Sequence, residues 1–425
     1  MKKLLYVVLD GLGDRPSPSL NGKTPLEAAE TLNMDFLAKN GKTGLMFPIR
    51  KGFAPESDTA VISILGYDPL QYSSSRGVLE AYGVGLKIED GMLALRCNFA
   101  SVDNNWRIID RRSGGDLTFD EALKLAESVN REVKLVSTPA EFIFKNTIGY
   151  RAVLIIKRLD GKLSGKISNI DPAYVRVGDI SVAKAEGILK VEKCKPLDDS
   201  VEADLAAKLV NEFTEKSFDV LSRHEVNAKR IAEGKLPANI ILSRDAGSTV
   251  PKFPSFKKLY NITFGFMAEM PVEKGIALLC GMVEIPLPPS TGNLKEDYKL
   301  RAKKVLESIE NLDGVYIHIK GPDEPGHKGK CEEKMEIITL IDKYFFGEIL
   351  PNLNLKKTIV VVTADHSTPC TFKAHTDDPV PLLIAGGDIK PDEVLSFSEK
   401  ACEKGSLGLL NGPELMPKLV DLMRR

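Results

Sequence analysis

Two of the chain's five histidines stand close together late in the sequence, in TADHSTPCTFKAH at residues 363–375. Asp365 and His366 are adjacent there, and His375 closes the segment. Upstream, KGPDEPGHKG carries Asp323 and His327 as an Asp-x-x-x-His pair, and near the start Asp10 ends the apolar run LLYVVL. Deprotonated carboxylates and neutral imidazoles are ligands for divalent cations. One centre is expected from Asp10, Asp365 and His366, and a second from Asp323, His327 and His375. Two ions about 3.5–4 Å apart can clamp the attacking and leaving oxygens of an in-line displacement, which points to phosphate chemistry. Taken singly these residues also suit ordinary roles, Asp365-His366 as a loop cap and His375 as a surface side chain. Their joint position at the ends of apolar runs favours metals.

Such a centre calls for a nucleophile, and Ser57 in APESDTAVISILG is the candidate. It precedes the helical pattern Val61, Ile62, Ile64, Leu65, which ends at Gly66. Locally it reads as an ordinary N-cap. The same position sets its hydroxyl beside backbone N–H groups that suit a phosphate. A neighbouring metal would ease ionisation of the hydroxyl and let it attack phosphorus. The glycine turn at residues 10–14, DGLGD, offers a dinucleotide-binding alternative, but Pro16 stands where the third glycine of G-x-G-x-x-G would be. Arginines that could fork onto small anions are Arg96 in LALRCNFA, Arg111 and Arg112 in IIDRRSGG, and Arg244 in ANIILSRDAG.

The elements that must position these groups read as an α/β core. Apolar runs at residues 3–9, 315–319, 358–363 and 381–385 look like buried parallel strands. Thr24, Pro25 and Glu27 make a capping box from which a helix is expected to run to about Lys39. Helical patterns cover residues 296–311 and 332–349. Pro325 and Gly326 favour a loop between Asp323 and His327. Strands alternating with helices imply a doubly wound sheet, in which ligands bind beyond the carboxyl ends of the strands. Residues 86–112 and 133–158 read instead as strands with turns, followed by helical patterns at 119–131 and 199–216. The expected organisation is a metal-binding core formed by residues 1–74 and 251–425, interrupted by a smaller α+β substrate-binding domain at 75–250.

Composition narrows the classes. The chain has 425 residues and a net charge of −1, so no nucleic-acid or membrane surface is indicated. Six scattered cysteines without a Cys-x-x-Cys pair argue against a disulfide framework or zinc ribbon and suit a reducing cytoplasm. The apolar run before Asp10 is shorter than the roughly 7–15 residues of a signal-peptide core. No apolar stretch approaches the ~20 residues of a membrane span.

The motifs DGLGD at 10–14, SDTA with SILGYDP at 57–69, RCNFA at 96–100, DRR-x-G at 110–114, GPDEPGHKG at 321–329 and TADHSTP with His375 together resemble the archaeal type of cofactor-independent phosphoglycerate mutase, in the alkaline phosphatase superfamily. The resemblance runs along essentially the whole chain. The metal and nucleophile motifs indicate the superfamily, and the RCNFA, DRR and AN-x-IL-x-R segments narrow it. It implies an alkaline-phosphatase-like core with an inserted domain that carries the substrate and shields phosphoserine from water. It implies Ser57 as the phosphorylated nucleophile, with Asp10, Ser57, Asp365 and His366 on one metal and Asp323, His327 and His375 on the other. Arg96, Arg111, Arg112 and Arg244 would contact substrate, and Lys274 in AEMPVEKG resembles a lysine near the phosphate. Manganese is the usual metal, with magnesium, cobalt or zinc as substitutes. The implied reaction is 3-phosphoglycerate to 2-phosphoglycerate interconversion, in glycolysis and gluconeogenesis, without bisphosphoglycerate. Glu56 departs from the pattern, since a small residue usually precedes the nucleophile. A metal-dependent phosphatase, phosphodiesterase or other phosphomutase on the same core is the alternative, and a non-catalytic metal-binding protein would not need Ser57.

Overall fold

The run KLLYVVL becomes β1 (Lys3–Leu9), with Leu4 through Leu9 fully buried. A strand covered on both faces needs such a continuous apolar sequence. The computed structural model describes residues 1–72, 74–177, 180–183 and 190–425. It divides into two compact units, residues 1–73 with 252–425, and residues 74–251.

The first unit is built on an eight-stranded sheet. Its other strands are β2 (Gly41–Phe47), β3 (Phe264–Met267), β4 (Val283–Glu284), β5 (Gly314–Ile319), β6 (Thr358–Thr363), β7 (Val380–Gly386) and β8 (Gly408–Asn411), in the order β4-β3-β5-β1-β6-β7-β2-β8. β1 pairs in parallel with β5 and β6, and the registers Leu9↔Ile319 and Val8↔Thr363 bring their carboxyl ends level. Asp10 follows β1, the segment from Lys320 follows β5, and Asp365 and His366 follow β6. Three remote parts of the sequence therefore meet along one edge.

The strand at the 381–385 run is antiparallel to both neighbours, not parallel as expected. Between β6 and β7 the chain makes turns instead of a crossover helix, so it enters β7 from the edge at which it left β6. A parallel return needs a crossover. The antiparallel strand keeps the whole DHSTPCTFKAH segment at that edge.

The capping box forms as expected, with Thr24 accepting from the Glu27 N–H and Glu27 from the Thr24 N–H. The helix does not run to Lys39, however. It stops as α1 (Pro25–Ala28) and restarts as α2 (Leu32–Lys39). The new N-terminus is held from a distance: Asp342 accepts from the N–H groups of Asn33 and Met34, at 3.1 and 2.8 Å. Further along lie α3 (Ser57–Ile64), α4 (Pro271–Leu279) and α5 (Leu294–Ile309). Asp323 to His327 is the short helix α6 (Asp323–Lys328), not a loop, because Pro325 sits in its first turn where no N–H is needed. α7 (Cys331–Ile341) widens into a π-helical stretch at Asp342–Phe346, where the Asp342 side chain is drawn to α2.

The second unit is α+β. Leu93–Val102 is fully buried and pairs antiparallel with Arg151–Arg158 on one side and Ile240–Gly247 on the other. Ala140–Asn146 and Ile108–Asp110 extend this sheet, and the helices Phe119–Glu132 and Val201–Ser222 contribute Leu125, Val129, Leu209 and Phe213 to its core.

Candidate functional site

Asp10, Asp365 and His366 come together as expected. Asp365 Oδ2 lies 3.3 Å from His366 Nε2, and Asp10 Oδ1 lies 3.4 Å from the same nitrogen. In each carboxylate the protein engages one oxygen and leaves the other unpartnered. Asp365 Oδ1 accepts from the Gly11 and His366 N–H groups, while Lys320 Nζ is 2.8 Å from Asp10 Oδ2. The buried Asp10 Oδ1 and Asp365 Oδ2 have no hydrogen-bond partner. A buried anionic oxygen without a partner is costly, so the arrangement fits a cation.

Asp323, His327 and His375 form the second expected group. Its tautomers follow from its hydrogen bonds. His327 Nδ1 donates to the Lys373 carbonyl at 3.1 Å, and His375 Nδ1 to the Pro55 carbonyl at 2.9 Å. Both Nε2 atoms then present lone pairs, and they face each other at 3.2 Å, with Asp323 Oδ1 at 3.4 and 3.6 Å. Two opposed lone pairs beside a carboxylate need a proton or a metal ion between them. Gly11 and Gly326 permit the close approach of these segments. Gly11 has φ +61°, and a Cβ on it would stand 2.7 Å from Asp323 Oδ1; a Cβ on Gly326 would stand 2.5 Å from the Thr368 carbonyl oxygen.

Ser57 is the first residue of α3 and not its cap; Glu56 holds the cap position without a side-chain hydrogen bond. Ser57 Oγ is thereby turned toward the cluster, 3.2 Å from His366 Nε2. Thr368 fixes that imidazole. Its hydroxyl donates to Asp323 Oδ1 at 2.7 Å, so it accepts from His366 Nδ1 at 3.0 Å and leaves a lone pair on Nε2. Burial, then the nearby His375, push the His366 pKa down to about 3, so the ring is neutral. Glu56 is exposed, and its charge favours protonated His375.

Electrostatics separates the two buried carboxylates. Burial opposes ionisation of Asp10, but Lys320, and after it His318, outweigh it and hold its pKa well below the ordinary carboxylate value. Burial and the charge of Asp10 push Asp365 up to about 7. Lys320 also lies 3.0 Å from Glu273 Oε1, and His318 Nε2 faces Asp10 and Asp365 at 3.8 and 3.6 Å. Sequence reasoning missed His318, Lys320, Glu273 and Thr368. One signal was available, since a histidine inside the otherwise apolar strand GVYIHI needs a reason.

Lys274 sits on α4 with its ammonium 3.0 Å from Glu284 Oε1, so the cation beside Asp10 is Lys320. In the second unit, Arg111 and Arg244 flank the Tyr174 ring, at 4.9 and 3.8 Å from its centre, and Arg111 also forks onto Asp171. Arg96 is cross-strand from Arg244 and lies 3.3 Å from Glu80 Oε1. Burial, aided by the charges of Arg76, Arg244 and Arg151, pushes the Arg96 pKa down to about 9 despite Glu80. An anion would relieve that repulsion. Arg112 is exposed and lies over Tyr150, 5.9 Å from the ring centre.

Known proteins resemble this chain along its whole length. A family model described as 2,3-bisphosphoglycerate-independent phosphoglycerate mutase matches residues 38–227. Proteins of that name from Aeropyrum pernix and Methanopyrus kandleri are 41% and 40% identical, over 99% and 100% of this chain and 99% and 97% of their own. Among solved structures, a Pyrococcus horikoshii protein matches with TM-score 0.81 and 33% identity over 100% of this chain and 97% of its own. A cofactor-independent phosphoglycerate mutase from Thermoplasma acidophilum matches with TM-score 0.66 and 30% identity over the full length of both chains.

Proposed function

The chain belongs to the archaeal type of 2,3-bisphosphoglycerate-independent phosphoglycerate mutase and interconverts 3-phosphoglycerate and 2-phosphoglycerate, and we propose that it does so by way of phosphorylated Ser57. The observation that carries this reading is the Ser57 hydroxyl, set at the start of α3 and 3.2 Å from the lone pair of a neutral His366, beside two carboxylate–imidazole groups. Ser57 Oγ gives up its proton and attacks phosphorus in line, the Oγ–P bond forms, and the bond from phosphorus to the substrate oxygen breaks. That oxygen takes up a proton and leaves as a glycerate hydroxyl. Glycerate turns, its other hydroxyl gives up its proton and displaces Ser57 Oγ from phosphorus, and Oγ takes a proton back. Divalent ions, for which we favour manganese over magnesium, cobalt or zinc, would ease ionisation of the serine and offset charge on the phosphoryl oxygens.

Asp10, Asp365 and His366, with Ser57, are assigned to one ion, and Asp323, His327 and His375 to the other. Lys320 holds Asp10 in its ionised form. The arginines Arg96, Arg111 and Arg244 are assigned to the anionic groups of the substrate, with Arg112 and Lys274 as outer cations. The inserted unit's task is to retain glycerate and exclude water until the phosphoryl group is returned. We place the reaction in the cytoplasm, in glycolysis and gluconeogenesis.

The test is a 3-phosphoglycerate assay coupled to enolase. EDTA should abolish turnover and manganese should restore it. Ser57→Ala should lose activity while still binding metal at the Asp323 group. Sustained turnover by Ser57→Ala, or by the metal-stripped protein, would sink the reading.

A further inference from the structure

We propose that His318 is a direct ligand of the ion assigned to Asp10, Asp365 and His366, so that four of the chain's five histidines bind metal. The proposal rests on the metal-dependent reading above and adds a residue to it.

His318 lies in β5 and is 2% exposed. Its Nε2 is one of three buried, unpartnered polar atoms that converge, the others being Asp10 Oδ1 and Asp365 Oδ2. The opposite side of each group is engaged. Asp10 Oδ2 has Lys320, Asp365 Oδ1 has two N–H groups, and His318 Nδ1 has the Tyr316 hydroxyl at 2.8 Å. The protein therefore satisfies every one of these groups except at a shared point.

Distances decide between a ligand and a hydrogen-bonding neighbour. His318 Nε2 is 3.8 Å from Asp10 Oδ1 and 3.6 Å from Asp365 Oδ2, too far for a hydrogen bond to either. Donors about 2.0–2.2 Å from a common five-coordinate ion stand about 2.8–3.1 Å apart at right angles and about 3.5–3.8 Å apart at 120°. The contacts of His318 with the two carboxylates, 3.6 and 3.8 Å, and those of His366, 3.3 and 3.4 Å, fall within the range that five donors around one ion span. A proton on Nδ1, donated to the Tyr316 hydroxyl, would leave the Nε2 lone pair for the ion, the usual support for a metal-bound imidazole. Lys320 does not oppose the ion, because Glu273 at 3.0 Å offsets its charge. With two imidazoles, the site takes a borderline transition metal in preference to magnesium.

Proton NMR of the full-length protein loaded with cobalt(II) tests this directly. Each imidazole bound through Nε2 contributes one strongly shifted, exchangeable Nδ1–H signal. Four such signals are expected, and His318→Gln should remove one while cutting cobalt affinity at one of two sites at least about tenfold. Three signals in the unmodified protein would overturn the assignment and leave the two-metal reading standing. No shifted signals at all would overturn both. Unchanged cobalt affinity at both sites in a folded His318→Gln protein would also overturn it.

Discussion

At His375 two opposing effects meet. Burial disfavours the imidazolium, but hydrogen bonding and attraction to Asp323 outweigh it and push the pKa up to about 9. Below that value the metal-free site holds a proton on the ring, and a cation must displace it. Affinity for the divalent ion should therefore rise about tenfold per pH unit up to about pH 9 and then level. Calorimetry in buffers of different ionisation heat would count the released proton; an affinity flat from about pH 6 to about 9 would contradict this. Thr368 is a second residue-scale test. It accepts from the His366 ring and donates to Asp323, so it orients ligands of both groups. Thr368→Val should weaken metal binding about 10–100-fold. Titration calorimetry that finds wild-type affinities would show the tautomer is fixed by something else.

Among the elements, α7 supplies the brace of the site. Lys334 is completely buried, and its ammonium reaches Asp14 Oδ2 at 2.8 Å, the Thr368 carbonyl at 3.0 Å and the Gly13 carbonyl at 3.2 Å. It ties the turn after β1 to the segment after β6. Lys334→Met would leave the buried Asp14 carboxylate without its counter-charge, and a loss of about 3–5 kcal/mol is expected in urea unfolding. A loss under about 1 kcal/mol would mean that the Arg15 N–H and the Cys370 N–H and thiol suffice for Asp14. These braces explain what the sequence displayed and what it hid. The three central strands and their terminal acids were legible because a fully buried parallel strand has a continuous apolar signature. The break between α1 and α2 was not, because the cap comes from Asp342, far along the chain. The antiparallel course of β7 was hidden for a related reason, since an apolar run carries no direction. Lys320 and His318 were overlooked because an apolar run does not show which strand β5 adjoins or in what register, and it is the Val8↔His318 pairing with β1 that brings them to Asp10 and Asp365.

For the whole molecule, the division of labour lies between two units. The first contains the carboxylate–imidazole groups and Ser57, and the second the buried arginine group with Tyr174. Among the described residues no helix is long and apolar enough to cross a membrane. Arg244 is 7% exposed and stacks on Tyr174, which orders its guanidinium for an anionic ligand. Arg244→Met should lower kcat/KM for 3-phosphoglycerate about 10–100-fold, the worth of one charge-assisted hydrogen bond. Because the second unit is assigned to retaining glycerate, the same variant should release more inorganic phosphate per turnover than the unmodified enzyme. An unchanged ratio of phosphate to 2-phosphoglycerate would remove Arg244 from that role.

The claim on which all of this turns is that the phosphoryl group rests on Ser57. Quenching the manganese-loaded enzyme in neutral denaturant during turnover of 3-phosphoglycerate, followed by peptide mass spectrometry at neutral pH, reads it directly. The account predicts phosphate on Ser57, at the head of α3, and its absence when EDTA is present. Phosphate on a histidine, or an unmodified Ser57 in an enzyme that is turning over, would contradict it.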